Sequence, residues 1–466
     1  MDWSKRRTVF HCAEALLPSG WARDVTLDVD GRGAILSVEA ESTPRHEAVR
    51  LPGAVVPGVP NVHSHAHQRA MAGLAERSGD GPDSFWTWRE VMYGFVDRMC
   101  PEDLQAIAAQ LYVEMAKAGF TAVGEFQYLH HAPDGRPYDG LAEMTLRCHQ
   151  AAREVGLGFT ALPVLYAHGD FGGRAPSHGQ RRFLNDGERF LRLVDEVATA
   201  VADDDEAAFG IAPHSLRAVS PELLREVLDG LADVGDVLPI HLHIAEQQKE
   251  VDDCVAWSGR RPVEWLLDQV ELSPRWCAIH ATHMTPDEAA GLARAGVVAG
   301  LCPTTEANLG DGIFPAPDFL AADGAITIGS DSHITVDPAD DLRVLEYSQR
   351  LRDRARNVLA DGPNASTGRS LADRVWAASG RVLGRPLGAI ARGCRADLVA
   401  LDTEHPALVG RRGDALLDSW IFSGGRSCVR DVVIGGRHVV ADRHHADEEA
   451  ILDRFRTTLD HLRTAI

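Results

Sequence analysis

Lysine is almost missing from this chain of 466 residues: Lys5, Lys117 and Lys249 are the whole set, and the other basic residues are arginines. No apolar stretch approaches the roughly 18 residues that a membrane span needs, which excludes a transmembrane segment. Residues Met1 to Arg7 are basic but lead into no apolar h-region or small-residue cleavage site, so the chain is expected in the cytoplasm. The eight cysteines (Cys12, Cys100, Cys148, Cys254, Cys277, Cys302, Cys394, Cys428) include no Cys-x-x-Cys pair. Their scatter argues against disulfides and a structural zinc and points to reduced, mostly buried thiols. A positive excess is missing as well. The formal charge of -21 argues against nucleic acid and anionic membrane as partners. An anionic small substrate would meet a repulsive overall field, so its site would need arginines of its own.

What is present is the balance of a globular protein, 45% hydrophobic and 25% charged. The length suits a barrel of roughly 300 residues with a smaller companion, since a (β/α)8 barrel takes about 250 residues or more. Short β-branched runs at 55–61, 121–126, 159–166, 209–213, 237–244, 276–281, 296–302 and 325–330 read as eight strands with helical patterns between most of them. One such helix shows Leu104, Ile107, Ala108, Leu111, Tyr112 and Met115 on a single face, with Pro101 at its start and Gly119 at its stop.

Almost every expected strand ends in a chemically capable group: His63-Ser64-His65, Glu125, His168, His214, His243 with Glu246, His280, Thr304-Thr305-Glu306, and Asp331 with His333. In a (β/α)8 barrel all strand C-termini converge on one face, whereas a doubly wound sheet concentrates them at a switch point. Polar ends on so many strands favour the barrel. Residues 8–55 and 388–442 read differently, as alternating strands punctuated by turn formers, and residues 174–182 read as a long, mobile loop. The expected architecture is α/β: a TIM-type (β/α)8 barrel (56–385), a small β-sandwich built from both termini (1–55 and 386–442), and a docked C-terminal helix (443–466) carrying Ile451, Leu452, Phe455, Leu459 and Leu462.

His63 and His65, spaced i, i+2 just past a buried strand, can aim two imidazoles at one ion. Alternation puts His241 and His243 on one side of the fifth strand, one as a ligand and the other as its support, with Glu246 three residues on, able to approach a metal-bound water. His280 ends the sixth strand and Asp331 the eighth. Each has a bland alternative, a surface histidine or a loop-capping aspartate, but the alternatives would all have to hold at once on one barrel face. Three histidines and one aspartate leave a water position open, the pattern of a catalytic zinc.

His-x-His, His-x-x-Glu, His and Ser-Asp in this order resemble the amidohydrolase superfamily, in its branch of mononuclear aminohydrolases. Binuclear members bridge their metals with a carboxylated lysine near the fourth strand, and no lysine stands there. Residues 84–93 (SFWTWREVMY), 128–131 (YLHH), 212–217 (APHSLR) and 302–312 (CPTTEANLGDG) look more specifically like the formimidoylglutamate deiminase family. The resemblance covers roughly residues 50 to 335. One departure is Gln127, where many members carry His.

By this resemblance one Zn2+ per chain, or iron or another divalent ion, would be held by His63, His65, His243 and Asp331. Glu246 would shuttle a proton from water to the departing nitrogen, His280 would polarise the reacting centre, and Asp331 could accept a proton while on the metal. Arg89 and Arg217 would hold the two carboxylates of the substrate, and Gln68, Tyr128 and His214 would add directional hydrogen bonds. The implied reaction, in histidine degradation, deaminates N-formimidoyl-L-glutamate to N-formyl-L-glutamate and ammonia. A guanine, cytosine or related heterocycle deaminase is the alternative, which would want aromatic and amide contacts rather than two arginines. A non-catalytic binding barrel is a further one, and would lack the ligand set. A homodimer is left open.

Overall fold

The computed structural model describes residues 7–77, 84–235 and 237–463. The basic tail with Lys5, and residues 464–466 of the expected last helix, lie outside them. The chain opens with four strands, β1 (Thr8–Leu17), β2 (Gly20–Val29), β3 (Ile35–Glu39) and β4 (Val49–Pro57). The central parallel strands follow: β5 (Val59–Ser64), β6 (Phe120–Gln127), β7 (Gly158–Leu165), a fourth in two pieces, β8 (Ala207–Phe209) and β9 (Ala212–Pro213), then β10 (Ile240–Ile244), β11 (Trp276–His280), β12 (Val298–Leu301) and β13 (Ala325–Ile328). Two parallel arrays, β5 to β9 and β10 to β13, are joined at Ile211↔Ile240 and Ser215↔His243 on one side and at Ser64↔Asp331 on the other. The sheet therefore closes into the expected barrel.

Two expected strands are corrected by glycines. The run 55–61 is not one strand, because residues 55–57 belong to β4 and Gly58 turns the chain into the barrel. A Cβ there would lie 2.3 Å from the Thr121 side chain, so only glycine fits. Likewise 209–213 is broken at Gly210, where a Cβ would stand 2.5 Å from the Pro239 carbonyl oxygen.

The last strands, β14 (Leu398–Leu401), β15 (Val429–Ile434), β16 (Arg437–Ala441) and β17 (His444–His445), return to the start of the chain. β14 pairs antiparallel with β4, giving one eight-stranded sheet in the order β17-β16-β15-β14-β4-β1-β2-β3. A core of its own, with Phe10, Val25, Leu27, Val55, Leu398 and Val433, lies under it. The helix Pro101–Ala118 follows its sequence signals, with Pro101 in its first turn and Gly119 at φ +99° ending it. The final helix, Glu448–Arg463, buries Ile451 and Leu462.

The expected mobile loop 174–182 ends in an anchor. Arg182 is fully buried and donates to the carbonyls of His131 (2.7 Å), Met99 (2.9 Å) and Val96. It thereby fixes the end of the helix Phe85–Val96, which carries Arg89. No helix among the described residues is long and apolar enough to cross a membrane.

Candidate active site

The end of β5, which carries His63 with His65 just beyond it, is held from two neighbouring strands. The Asn61 amide donates to Ser330 Oγ (2.6 Å), and Ser330 Oγ meets His333 Nδ1 at 2.9 Å. His333 Nε2 meets Ser64 Oγ at 3.2 Å, and Ser64 donates to Glu125 Oε2 at 2.6 Å. Followed donor to acceptor, the chain sets His333 as the Nε2–H tautomer, neutral because burial lowers its pKa. Glu125 also accepts from Tyr112 (2.9 Å) and from the Ala66 N–H (2.7 Å). Burial pushes its pKa up to about 7. One buried carboxyl from β6 thus clamps the turn after β5, and Asn61 ties that turn to the end of β13.

His63 joins two groups of ligating atoms, His63 with His65 and Asp331, and His63 with His243 and His280. His63 Nε2 lies 3.0 Å from His243 Nε2 and 3.5 Å from Asp331 Oδ1, and His65 Nε2 is 3.4 Å from the same oxygen. The second nitrogens of two rings are committed: His65 Nδ1 donates to Phe126 O (2.9 Å) and His243 Nδ1 to His214 O (3.1 Å). Their Nε2 lone pairs therefore face inward. Burial keeps the rings neutral, lowering the His63 pKa to about 3 and those of His65 and His243 as well. Asp331 is buried beside them. Lone pairs and a carboxylate packed together repel unless a cation sits between them, and an N3O donor set suits zinc or a neighbouring divalent metal. The residues fit such an ion.

Beside this cluster, His280 Nε2 is 3.8 Å from Glu246 Oε1 and 3.9 Å from Asp331 Oδ2, and its Nδ1 is 3.3 Å from Glu306 Oε1. Burial works against the His280 cation, but the Glu246, Glu306 and Asp331 carboxylates outweigh it and raise its pKa. Burial also raises the pKa of Glu246, opposed by His280 and Arg217. Backbone strain gathers here. His280 (φ +68°), Ala281 (φ +49°), Ala245 (φ +50°) and Asp331 (φ +46°) all occupy the left-handed region, which costs of order 1–3 kcal/mol each for a side-chain-bearing residue.

The far side of the cavity is cationic. Arg217 is buried, with Nη2 3.8 Å from Glu246 Oε2 and Nε 3.9 Å from Glu250 Oε2, too far for hydrogen bonds. The buried Nε atoms of Arg217 and Arg89 have no hydrogen-bond partner. Both guanidiniums stand over the Trp86 ring, at 4.6 Å for Arg89 and 5.7 Å for Arg217. Tyr128 OH is met by Gln68 Nε2 (2.9 Å) and His67 Nε2 (3.0 Å), and Gln68 Oε1 is unpartnered. His214, neutral through burial, lies beside Tyr128 at 5.9 Å between ring centroids. Gln68, Arg89, Tyr128, His214, Arg217, Glu246, His280, Asp331, His65 and His243 line one cavity, with His63 behind them.

The profile of the amidohydrolase family matches residues 54–439, and that of the formimidoylglutamate deiminase HutF N-terminal domain matches residues 7–47. The formimidoylglutamate deiminase of Pseudomonas aeruginosa is 52% identical over 96% of this chain and 98% of its own. The chain belongs to the amidohydrolase family, with the formimidoylglutamate deiminases. It is a hydrolase of carbon–nitrogen bonds, in a family whose members depend on metal. A crystal structure of an amidohydrolase from Brucella melitensis superposes with a TM-score of 0.93 at 49% identity, covering 98% of this chain and 100% of that one. An adenosine deaminase from Xanthomonas campestris, solved with bound zinc, shares the fold at 21% identity, with a TM-score of 0.80 and 98% of each chain covered.

Against this family pattern the departure at Gln127 proves to lie outside the cavity. Its amide bonds the Cys148 thiol (3.5 Å) and the Leu129 N–H (3.0 Å), inside the core. His241 does not support His243; its Nε2 meets the Val382 carbonyl at 2.7 Å, at the end of the helix Thr367–Leu383. His168 ends its strand region but does not line the cavity. Sequence reasoning missed Glu250, which accepts from the Ala245 (3.0 Å) and Glu246 (3.2 Å) N–H groups and so shapes the Glu246 turn. Its spacing of four from Glu246 was the available signal. The aromatic wall of Phe85, Trp88, Tyr93, Tyr166 and Phe183 was missed too, although the first three stand in the quoted block 84–93.

Proposed function

We propose that the chain hydrolyses N-formimidoyl-L-glutamate to N-formyl-L-glutamate and ammonia, as a step of histidine degradation, with one zinc ion held by His63, His65, His243 and Asp331. The observation that carries this reading is the pair of guanidiniums with unpartnered Nε atoms, Arg217 and Arg89, in the same cavity as the His/Asp cluster. A buried guanidinium nitrogen lacking a hydrogen-bond partner is costly and calls for an acceptor, and two guanidiniums so placed suit a dicarboxylate in a protein of net charge -21.

A zinc ion bound there supplies a water acidic enough to attack at neutral pH. The remaining work is done by side chains. Arg217 and Arg89 grip carboxylate, while Tyr128, Gln68 and His214 direct the amino-acid end and leave the formimidoyl carbon facing Asp331 and His280. Glu246, its pKa raised by burial, takes a proton from the attacking water and returns one to the departing nitrogen. His280 presents Nε2 to the reacting carbon and stabilises charge there. Water adds across C=N, and the C–N bond breaks to release ammonia and leave the formyl group.

Ammonia release from formimidoylglutamate, guanine and cytosine, with metal analysis of the same sample, tests the reading. Turnover of formimidoylglutamate alone, with one zinc per chain, is expected. Turnover of a heterocycle in its place would refute it.

A further inference from the structure

We propose that Glu306 is the positioning residue of His280, fixing its ring so that Nε2 faces the cavity; this rests on the reading of His280 as a group that acts on the reacting carbon. Glu306 sits in the short helix Pro303–Leu309 after β12, on a different strand end from His280. Its carboxylate is held by the backbone of Cys302. Oε1 accepts the Cys302 N–H at 2.8 Å and lies 3.3 Å from His280 Nδ1, and the residue's own N–H donates to Cys302 O at 2.8 Å. Glu306 and His280 are both buried, so water does not compete for either partner.

The ring needs such a hold. His280 follows β11 in the left-handed backbone region, with Ala281 in the same region after it, and this conformation alone does not choose a ring orientation. With Nδ1–H directed at Glu306, the opposite nitrogen is presented to Glu246 Oε1 and Asp331 Oδ2, at 3.8 and 3.9 Å. A ring turned over would place a carbon toward the reacting centre. Carboxylate–imidazole pairs of this kind set the direction of the ring.

His280, Cys302 and Glu306 also lie close enough together to hold a cation. One observation favours positioning over a second metal: Glu306 Oε1 is already engaged by the Cys302 N–H.

The test compares the zinc-loaded full chain with Glu306→Gln, which keeps an acceptor oxygen without charge, and Glu306→Ala, which removes both. The readouts are metal content, kcat and KM for formimidoylglutamate, and 15N-edited NMR of the histidine N–H protons, with the His280 signal assigned through His280→Gln. Expected are unchanged metal content, little change in KM, a kcat loss of about 10- to 100-fold in Glu306→Gln, as is typical for partners of this type, and a larger loss in Glu306→Ala. The His280 Nδ1–H signal, far downfield in the wild type, should move upfield in Glu306→Gln. An unmoved signal, or kcat within about twofold of wild type, where binding and turnover are both unaffected, overturns the proposal. So does a second metal equivalent lost with the carboxylate. Should Glu306→Ala not fold, Glu306→Gln decides alone. If the wild type releases no ammonia from formimidoylglutamate, the substrate reading fails, and the NMR comparison still decides whether Glu306 orients His280.

Discussion

Glu246 and Arg217 stand within 4 Å of each other, yet the proposed reading gives them separable work. Glu246 moves protons and does not hold metal. Glu246→Gln should therefore retain full zinc and lose about 10²- to 10⁴-fold in kcat, the usual worth of a general acid/base. His63→Ala and Asp331→Ala should lose metal and activity together. Zinc content and kcat measured on the three proteins check this, and zinc loss in Glu246→Gln with normal zinc in Asp331→Ala would reverse the assignment. Arg217→Met and Arg89→Met should keep zinc and lose about 10- to 150-fold in kcat/KM, which corresponds to about 1.5–3 kcal/mol for one charge-assisted bond. A loss confined to KM would mean that the arginines grip ground and transition states alike, and a loss in kcat that they chiefly orient the amidine. Wild-type kcat/KM in both variants would displace the dicarboxylate site.

Among the elements, the helix Pro338–Asp353 offers a test of burial away from the cavity. Its N-cap Asp337 accepts from the Ala339 N–H (2.9 Å) and the Arg426 N–H (2.7 Å), yet burial, then Asp340, raises its pKa from 3.8 to about 6. A carboxyl whose folded pKa is raised stabilises most below its unfolded pKa and loses that contribution as pH climbs through the folded value. Asp337→Asn, which still caps, should therefore gain relative to the wild type between about pH 4 and pH 6. The gain is at most about 3 kcal/mol, taking about 1.36 kcal/mol per pKa unit. Urea midpoints at the two pH values read it. A variant that instead loses ground with rising pH would show that the two N–H bonds outweigh desolvation.

Across the whole molecule, Glu206 links barrel and sheet. Placed just before β8, it accepts from Arg385 (2.7 Å) and Arg395, and Arg437 of β16 approaches to 3.9 Å. Arg385 and Arg395 are buried, so Glu206→Ala leaves two buried cations short of their partner and should destabilise by about 3–5 kcal/mol. Thermal unfolding reads the loss, while kcat per bound zinc should stay at the wild-type value because Glu206 lies outside the cavity. An unchanged melting temperature would make the cluster a solvated one.

From the sequence alone came the period of the strands, the helix between Pro101 and Gly119, and the strand-end positions of His63, His65, His243, His280 and Asp331. These follow from rules local in the chain: alternation, caps, and the convergence of strand ends that a barrel imposes. The split of the first and fourth strand runs was not legible, because what breaks them at Gly58 and Gly210 is the approach of Thr121 and of the Pro239 carbonyl, both distant in sequence. Nor were the partners of the site residues. Glu125 serves the β5 turn from β6, Glu306 reaches His280 from the next strand end, and Arg182 fixes the helix of Arg89 from a loop that reads as mobile. Gln127 drew notice in the sequence and turns into the core, while His241 keeps the same parity as His243 and serves a helix end instead. Pattern assigns a side chain to a face of its strand. Which neighbour it meets there is decided by packing between segments far apart in the chain, and only the closed barrel brings those segments together.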